Sequence, residues 1–585
     1  MKKIYALFGA AALLMLGSCA KDAGDDSQPV KGANDFYMTL AIAQPQSTRT
    51  ATTDQGKEVG KDYENTISKA ILVFADEKFE TVTSTNFDVA SAPSTGSDKL
   101  TTHQVTFSME RDVLTAAVGE SASKKFYLFL IANPGNLTKE SFAAGVTVQK
   151  VLEQATDENV PYWKENQFLM TNAELTEKVI IKTDINKGTH KTADDAYSLG
   201  TIKVQRAVSR FDIAKDNVTK TFSNEKAPIQ SLTVTFDAVA LVNMAQSFNL
   251  FKVVAAPTDE QVKTPESYSV PAMTLAMNTT NPNFWGAPAE TATNYVFSPE
   301  QTAWTYPLFD GGVNTGGAKW TTGNQKGTMK SLNDPSFKFD SFGEWKDDND
   351  FTHPGDTQYS GDENYYIWRY CTENTNFNLE NQLNGNTTGV IFRAKMTATE
   401  LTNGYGPVYA YQNVILGNAA ALRDYVSGAD PEDGIWGAVK HLYKEAVKKA
   451  KAANSGWNAD KDPEKDEDLK TLTELDKLDQ YLTVKDGITI YRPDEDGNYY
   501  CYYYYWNRHN DNGQPVDMGP MEFATVRNNV YKLQVTKIMR LGHPAEPGDD
   551  PDEPDPNDPD EEDSFYCKIE CKILPWEVRM NGIEF

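Results

Sequence analysis

Residues 35–43 read Asp35-Phe36-Tyr37-Met38-Thr39-Leu40-Ala41-Ile42-Ala43. Phe36, Met38, Leu40 and Ile42 fall at every second position, and that period places one face of an extended strand in a core. The same pattern recurs at 67–74, 104–109, 126–132, 179–182, 202–213, 232–242, 390–396, 499–506, 525–538 and 565–574. These runs are rich in Val, Ile, Phe, Tyr and Thr and end at Gly, Pro, Asn or Asp turns, so the chain is expected to be mainly β, built as antiparallel sandwiches. Two stretches switch to helical spacing. In 435–452, Trp436, Val439, Leu442, Tyr443, Ala446 and Val447 share a face; in 463–482, Leu469, Leu472, Leu475 and Leu482 do. Both are expected as helices packed on the second of two sandwiches. The boundary between the sandwiches is expected within 214–229, and 255–386 reads as surface loops and short strands.

The first residues predict export. Lys2 and Lys3 precede an apolar run from residue 4 to 16, which is shorter than the roughly 20 residues of a membrane span and has the build of a secretory signal. The run closes on Leu16-Gly17-Ser18-Cys19. A cysteine in that setting resembles the lipobox of bacterial lipoproteins, which implies diacylglycerol on the Cys19 thiol after cleavage before it. Lys21, Asp22, Asp25 and Asp26 resemble the acidic tethers of lipoproteins exposed on the outer membrane.

A formal net charge of −27 over 585 residues excludes a nucleic-acid partner, which needs clustered Lys and Arg. With only five cysteines, disulfides are not the framework of this exported chain. Cys567 and Cys571 stand about 13 Å apart along an extended strand, beyond the roughly 7 Å that a disulfide spans, and no His or second pair beside them suggests a metal. They read as core positions.

Residues 544–563 are acidic and proline-rich, with ten acids and no base from Asp549 to Asp563. Pro lacks an N–H and like charges repel, so an extended, solvated tether is expected in preference to a calcium loop. No phosphate-cradling loop, nucleophile elbow or zinc helix occurs, and the six histidines are scattered. The chain is therefore read as a non-enzyme without cofactor or metal. Asp494–Asn498 reads as a turn, and the Tyr502–Trp506 aromatics as core packing in preference to a sugar or base platform.

Two features at opposite ends suggest assembly. The first strand is followed by Ser47-Thr48-Arg49-Thr50-Ala51, a polar loop with the character of a protease site. The last segment repeats the alternating face, with Phe565, Cys567, Ile569, Cys571 and Ile573, behind the expected tether. These ends, the lipobox, Val204-Gln205-Arg206-Ala207-Val208-Ser209-Arg210-Phe211, Val526-Arg527-Asn528-Asn529-Val530-Tyr531-Lys532-Leu533 and Cys571-Lys572-Ile573-Leu574-Pro575-Trp576 resemble the fimbrilins of type V pili, most of all the shaft subunit of minor (Mfa-type) fimbriae.

That resemblance implies two transthyretin-like sandwiches exported as an outer-membrane lipoprotein. It also implies cleavage at Arg49–Thr50 by an arginine-specific surface protease, with loss of the first strand. The groove left behind then takes the C-terminal donor strand of another copy, giving a head-to-tail filament on the cell surface with anchor and tip subunits, serving adhesion, auto-aggregation or biofilm formation. The implied segments are a signal peptide (1–18), a lipidated propeptide (19–49), an N-terminal sandwich (50–222), a C-terminal sandwich with insertions (223–543), the tether (544–563) and the donor strand (564–585). The alternative is a monomeric surface lipoprotein that binds glycans, favoured by an aromatic content of 11%.

Overall fold

A computed structural model describes residues 34–43, 58–89, 102–153, 162–173, 175–186, 188–215, 218–255, 295–299, 301, 304–310, 328–342, 364–375, 382–428, 432, 434–509, 518, 521–558 and 566–577. Cys19, Arg49, Thr50 and Phe565 lie outside them.

The chain is mainly β, as its alternation requires. In the first sheet the strands run, from one edge, Thr81–Asp88, Lys69–Ala75, Ser123–Ala132, Met170–Asn172, Tyr197–Arg206, Asp35–Ala43 and Thr102–Glu110, with Thr176–Ile181 also on Ser123–Ala132. Tyr197–Arg206 serves two neighbours: residues 197–203 pair with the first strand, and 204–206 pair with Met170–Asn172. Leu72, Phe74, Phe129, Ile131, Ile202 and Val204 fill the core beside Phe36, Met38, Leu40 and Ile42.

The second sandwich sets a five-stranded sheet against another. The first has the order Glu58–Val59, Cys567–Glu577, Asn529–Ile538, Val208–Ala214, Tyr365–Thr372; the second has Thr219–Ser223, Ser231–Val242, Gly389–Thr397, Tyr499–Trp506, with Asp340–Ser341 also on Ser231–Val242. Phe211, Tyr531 and Leu533 from one sheet meet Phe236, Phe392 and Tyr503 from the other. The Phe236 and Tyr503 rings lie 5.1 Å apart, within the range of favourable aromatic pairs.

A third core lies under Val408–Tyr411, Val414–Gly417 and Thr489–Tyr491, where helices Ala419–Gly428 and Trp436–Ala453 bury Leu422, Val426, Tyr443 and Val447. Gly417 joins strand to helix at φ +69°, and a Cβ there would come within 2.8 Å of the Ala421 Cβ, so the corner needs glycine on both counts.

Three sequence expectations change. The run 202–213 is two strands: the chain leaves the first sheet after Arg206 and enters the second at Val208, ahead of the expected 214–229 boundary. The strands on either side of Ala207 keep similar apolar patterns, so local spacing does not reveal the change of sheet. Residues 463–482 form only short helical pieces, Asp466–Leu469 and Leu475–Leu478, interrupted by Glu474 at φ +53°. Leu469, Leu472 and Leu482 are buried in the third core all the same, so the leucine spacing recorded burial rather than a continuous helix.

The expected solvated tether is docked over 544–558. The Ala545 carbonyl accepts from the Leu332 amide, Asp549 pairs with Arg492 at 2.8 Å, and the Pro556 and Asp558 carbonyls accept from the Gly385 and Asn384 amides. Proline lacks a donor but keeps its acceptor. Arg492 on the body and turns in which Asp550 and Asp555 accept amides two residues on offset the repulsion.

Candidate functional site: the first strand and the C-terminal strand

The first strand lies inside its sheet, antiparallel to Thr102–Glu110 across all nine residues and parallel to Tyr197–Arg206 on its other side. Phe36, Met38, Leu40 and Ile42 are each 0% exposed. At its start, the Arg111 guanidinium sits 5.2 Å from the Phe36 ring centre and donates to the carbonyls of Asp35, Ile185 and Asn186. His190 meets the Phe36 ring edge-on at 5.3 Å. Removing this strand would strip both neighbours of a ladder and uncover an apolar trench between them.

The C-terminal segment has a seat in its own chain. Cys567–Glu577 pairs antiparallel with Asn529–Ile538 and parallel with Glu58–Val59. Cys567 is buried, Ile569 and Cys571 pack partly buried against the second core, and Ile573 stands opposite Tyr531 in the ladder. Glu570 is exposed, as the alternation predicts. Leu574, on the opposite face, is buried in the first core, so the strand contributes to both cores. That second contact was invisible in an alternating pattern read as one-sided.

Cys371 and Cys501 are free thiols in the core. Burial pushes the Cys501 thiol up to about 12, which leaves it a core side chain without thiolate character. Tyr502, Tyr503, Tyr504 and Trp506 are buried in two cores. Asp494 accepts the Asp496 and Asn498 amides in a turn. No group of three or more His, Cys, Asp or Glu among the described residues could hold a metal ion.

Sequence reading missed the charged cluster where the chain changes sheets. Arg210, fully buried, donates to Asp212 through Nε and Nη2 at 2.8 Å, to Glu64 at 3.0 and 3.1 Å, and to Glu58 at 2.7 Å. Lys532 Nζ lies 2.9 Å from the other Glu58 oxygen, and the Tyr370 hydroxyl donates to Glu64 at 2.6 Å. Arg206 donates through Nε to the Glu64 carbonyl. Burial opposes the Arg210 charge, yet Asp212, Glu64 and Glu58 together hold its pKa well above the ordinary value. Burial also pushes the Asp212 carboxyl up to about 6, against the pull of Arg210. Two arginines inside the apolar run 202–213 were the available signal, because buried charges require partners. Those partners stand about 150 residues earlier in the chain, at 58 and 64.

Residues 497–582 match the family described as "Major fimbrial subunit protein type IV, Fimbrillin, C-terminal". That span includes the Tyr499–Trp506, Asn529–Ile538 and Cys567–Glu577 strands. No curated protein matches the chain. Among solved structures, a candidate cell adhesion protein of Parabacteroides distasonis is similar at 11% identity and TM-score 0.37, over 95% of this chain and 100% of that one. A fimbrilin of Porphyromonas gingivalis is similar at 12% identity and TM-score 0.33, over 94% and 100%. The tip fimbrial protein Mfa3 of the same organism is similar at 10% identity and TM-score 0.28, over 93% and 100%. Likenesses this remote carry no argument, and what the comparisons show is that the C-terminal part of the chain, residues 497–582, matches the C-terminal model of the fimbrillin family of fimbrial subunit proteins.

Proposed function

We propose that this chain is the shaft subunit of a surface fimbria, exported as a lipoprotein precursor anchored through Cys19, cut between Arg49 and Thr50 and polymerised by strand exchange. The observation that carries the reading is the seat of the first strand. Four fully buried side chains, at about 1.5–3 kcal/mol each, hold it with on the order of 10 kcal/mol before ordering costs. It joins the rest of the chain through residues 44–57, which contain Arg49. Once that segment is cut, the strand is held only by non-covalent contacts. The vacated groove offers unpaired backbone groups and apolar pockets at alternate positions, which a strand from another copy can fill by β-augmentation.

Cys567–Glu577 is the proposed donor. Its seat in its own sheet makes assembly an exchange of one slot for another, and each joint is head-to-tail, so growth continues without closure. An arginine-specific surface protease, anchor and tip subunits, and the outer membrane before cleavage are the partners this scheme requires.

The test is Arg49→Ala in cells that make the fimbria. The variant is expected to accumulate as a folded, lipid-tethered monomer with the first strand in place. Normal filaments from this variant, with Lys57 and Lys61 also replaced, would overturn the reading.

A further inference from the structure

The C-terminal strand is not a free edge. It lies between Asn529–Ile538 and the two-residue strand Glu58–Val59, with Glu58 opposite Trp576 and Val59 opposite Glu577. A two-residue ladder is too short to persist by its own hydrogen bonds. What fixes it is the Glu58 side chain, 2% exposed, whose oxygens meet Arg210 at 2.7 Å and Lys532 at 2.9 Å. Lys532 belongs to the strand on the far side of the C-terminal strand, and Arg210 to the strand beyond that. The carboxylate therefore bridges across the C-terminal strand like a strap. Loss of the Glu58 charge would remove the buried anion that faces both Arg210 and Lys532.

We propose that Glu58 is a latch that keeps the C-terminal strand in its own sheet, and that cleavage at Arg49 loosens it. This rests on the strand-exchange reading above. In the uncut chain the latch is tethered on both sides, upstream to the buried first strand and downstream to the short helix Asp62–Asn65, whose Glu64 also holds Arg210. A cut at Arg49 places Glu58 near a new chain end, where segments fray. One proteolytic event would then both free the acceptor groove and prepare the donor.

Hydrogen exchange followed by mass spectrometry tests this on the purified, lipid-free full chain, before and after cutting. Glu58→Gln is expected to speed exchange in the uncut protein across 567–577 roughly tenfold or more, while 35–43 and 123–132 keep wild-type protection. The double variant Glu58→Gln/Lys532→Met, which removes the cation facing Glu58 together with the anion, is expected to keep the local effect with less loss of melting temperature. Cut wild type is expected to resemble uncut Glu58→Gln. Wild-type protection of 567–577 in both variants, or a rise spread equally over 35–43 and 123–132, would overturn the latch. Faster opening of 567–577 without faster filament growth would support the latch while counting against strand donation.

Discussion

In the proposed scheme, a synthetic peptide with the sequence of residues 35–43 should block filament growth by cut subunits, because it would refill the groove left by the first strand. The magnitude comes from Leu40. Its side chain is 0% exposed, among Phe36, Met38 and Ile42 and the core they share. Truncating such a leucine to alanine costs about 2–5 kcal/mol. Each ~1.4 kcal/mol is a factor of ten in affinity, so a Leu40→Ala peptide should need roughly thirty-fold to several thousand-fold more material for the same inhibition. Thr39 supplies the control: it is only partly buried, and its hydroxyl donates to the Val105 carbonyl at 3.2 Å. A Thr39→Ser peptide keeps that donor and should inhibit like the parent. The assay is light scattering during growth of cut, purified subunits, with electron microscopy of the products. Equal potency of the parent and Leu40→Ala peptides, or no inhibition by either at large excess, would refute the idea that the first strand occupies the polymerisation groove.

Other outcomes follow from the same geometry. Ile569→Asp puts a carboxylate on the apolar face of the C-terminal strand, costing several kcal/mol in any buried slot, so filaments should be lost, whereas the exposed Glu570→Gln should leave their length unchanged; micrographs showing normal filaments from both would make the segment a passive tail. Asp212 bears on pH. Burial raises its folded-state pKa from 3.8 to about 6, so the stability it contributes is fully present below about pH 4 and is lost as pH rises through 6. Relative to Asp212→Asn, the wild type should therefore lose stability as pH rises from 4 to 7. Thermal melts of the two proteins running parallel across that range would contradict this.

Much of the fold was legible because a strand's burial pattern is local. Asp35–Ala43 and Tyr499–Trp506 have the limits that alternation predicts, and the helix expected at 435–452 spans Trp436–Ala453. The second helix was not legible. Leucines at three- and four-residue spacing satisfy burial in a chain of short turns as well as in a helix, and Glu474 breaks the path. The proposed site was half legible: alternation marked the first and last strands as each burying one face, but could not say that the last one pairs within its own sheet.

Sequence by itself determined which side chains must leave water, since period-two patterning and composition set burial residue by residue. Only the tertiary structure decided which sheet each strand joins, where the acidic segment docks and how Glu58 reaches Arg210 and Lys532. Those are pairings between residues far apart in sequence, and spacing along a chain holds no record of which distant backbone edge or buried charge will close them.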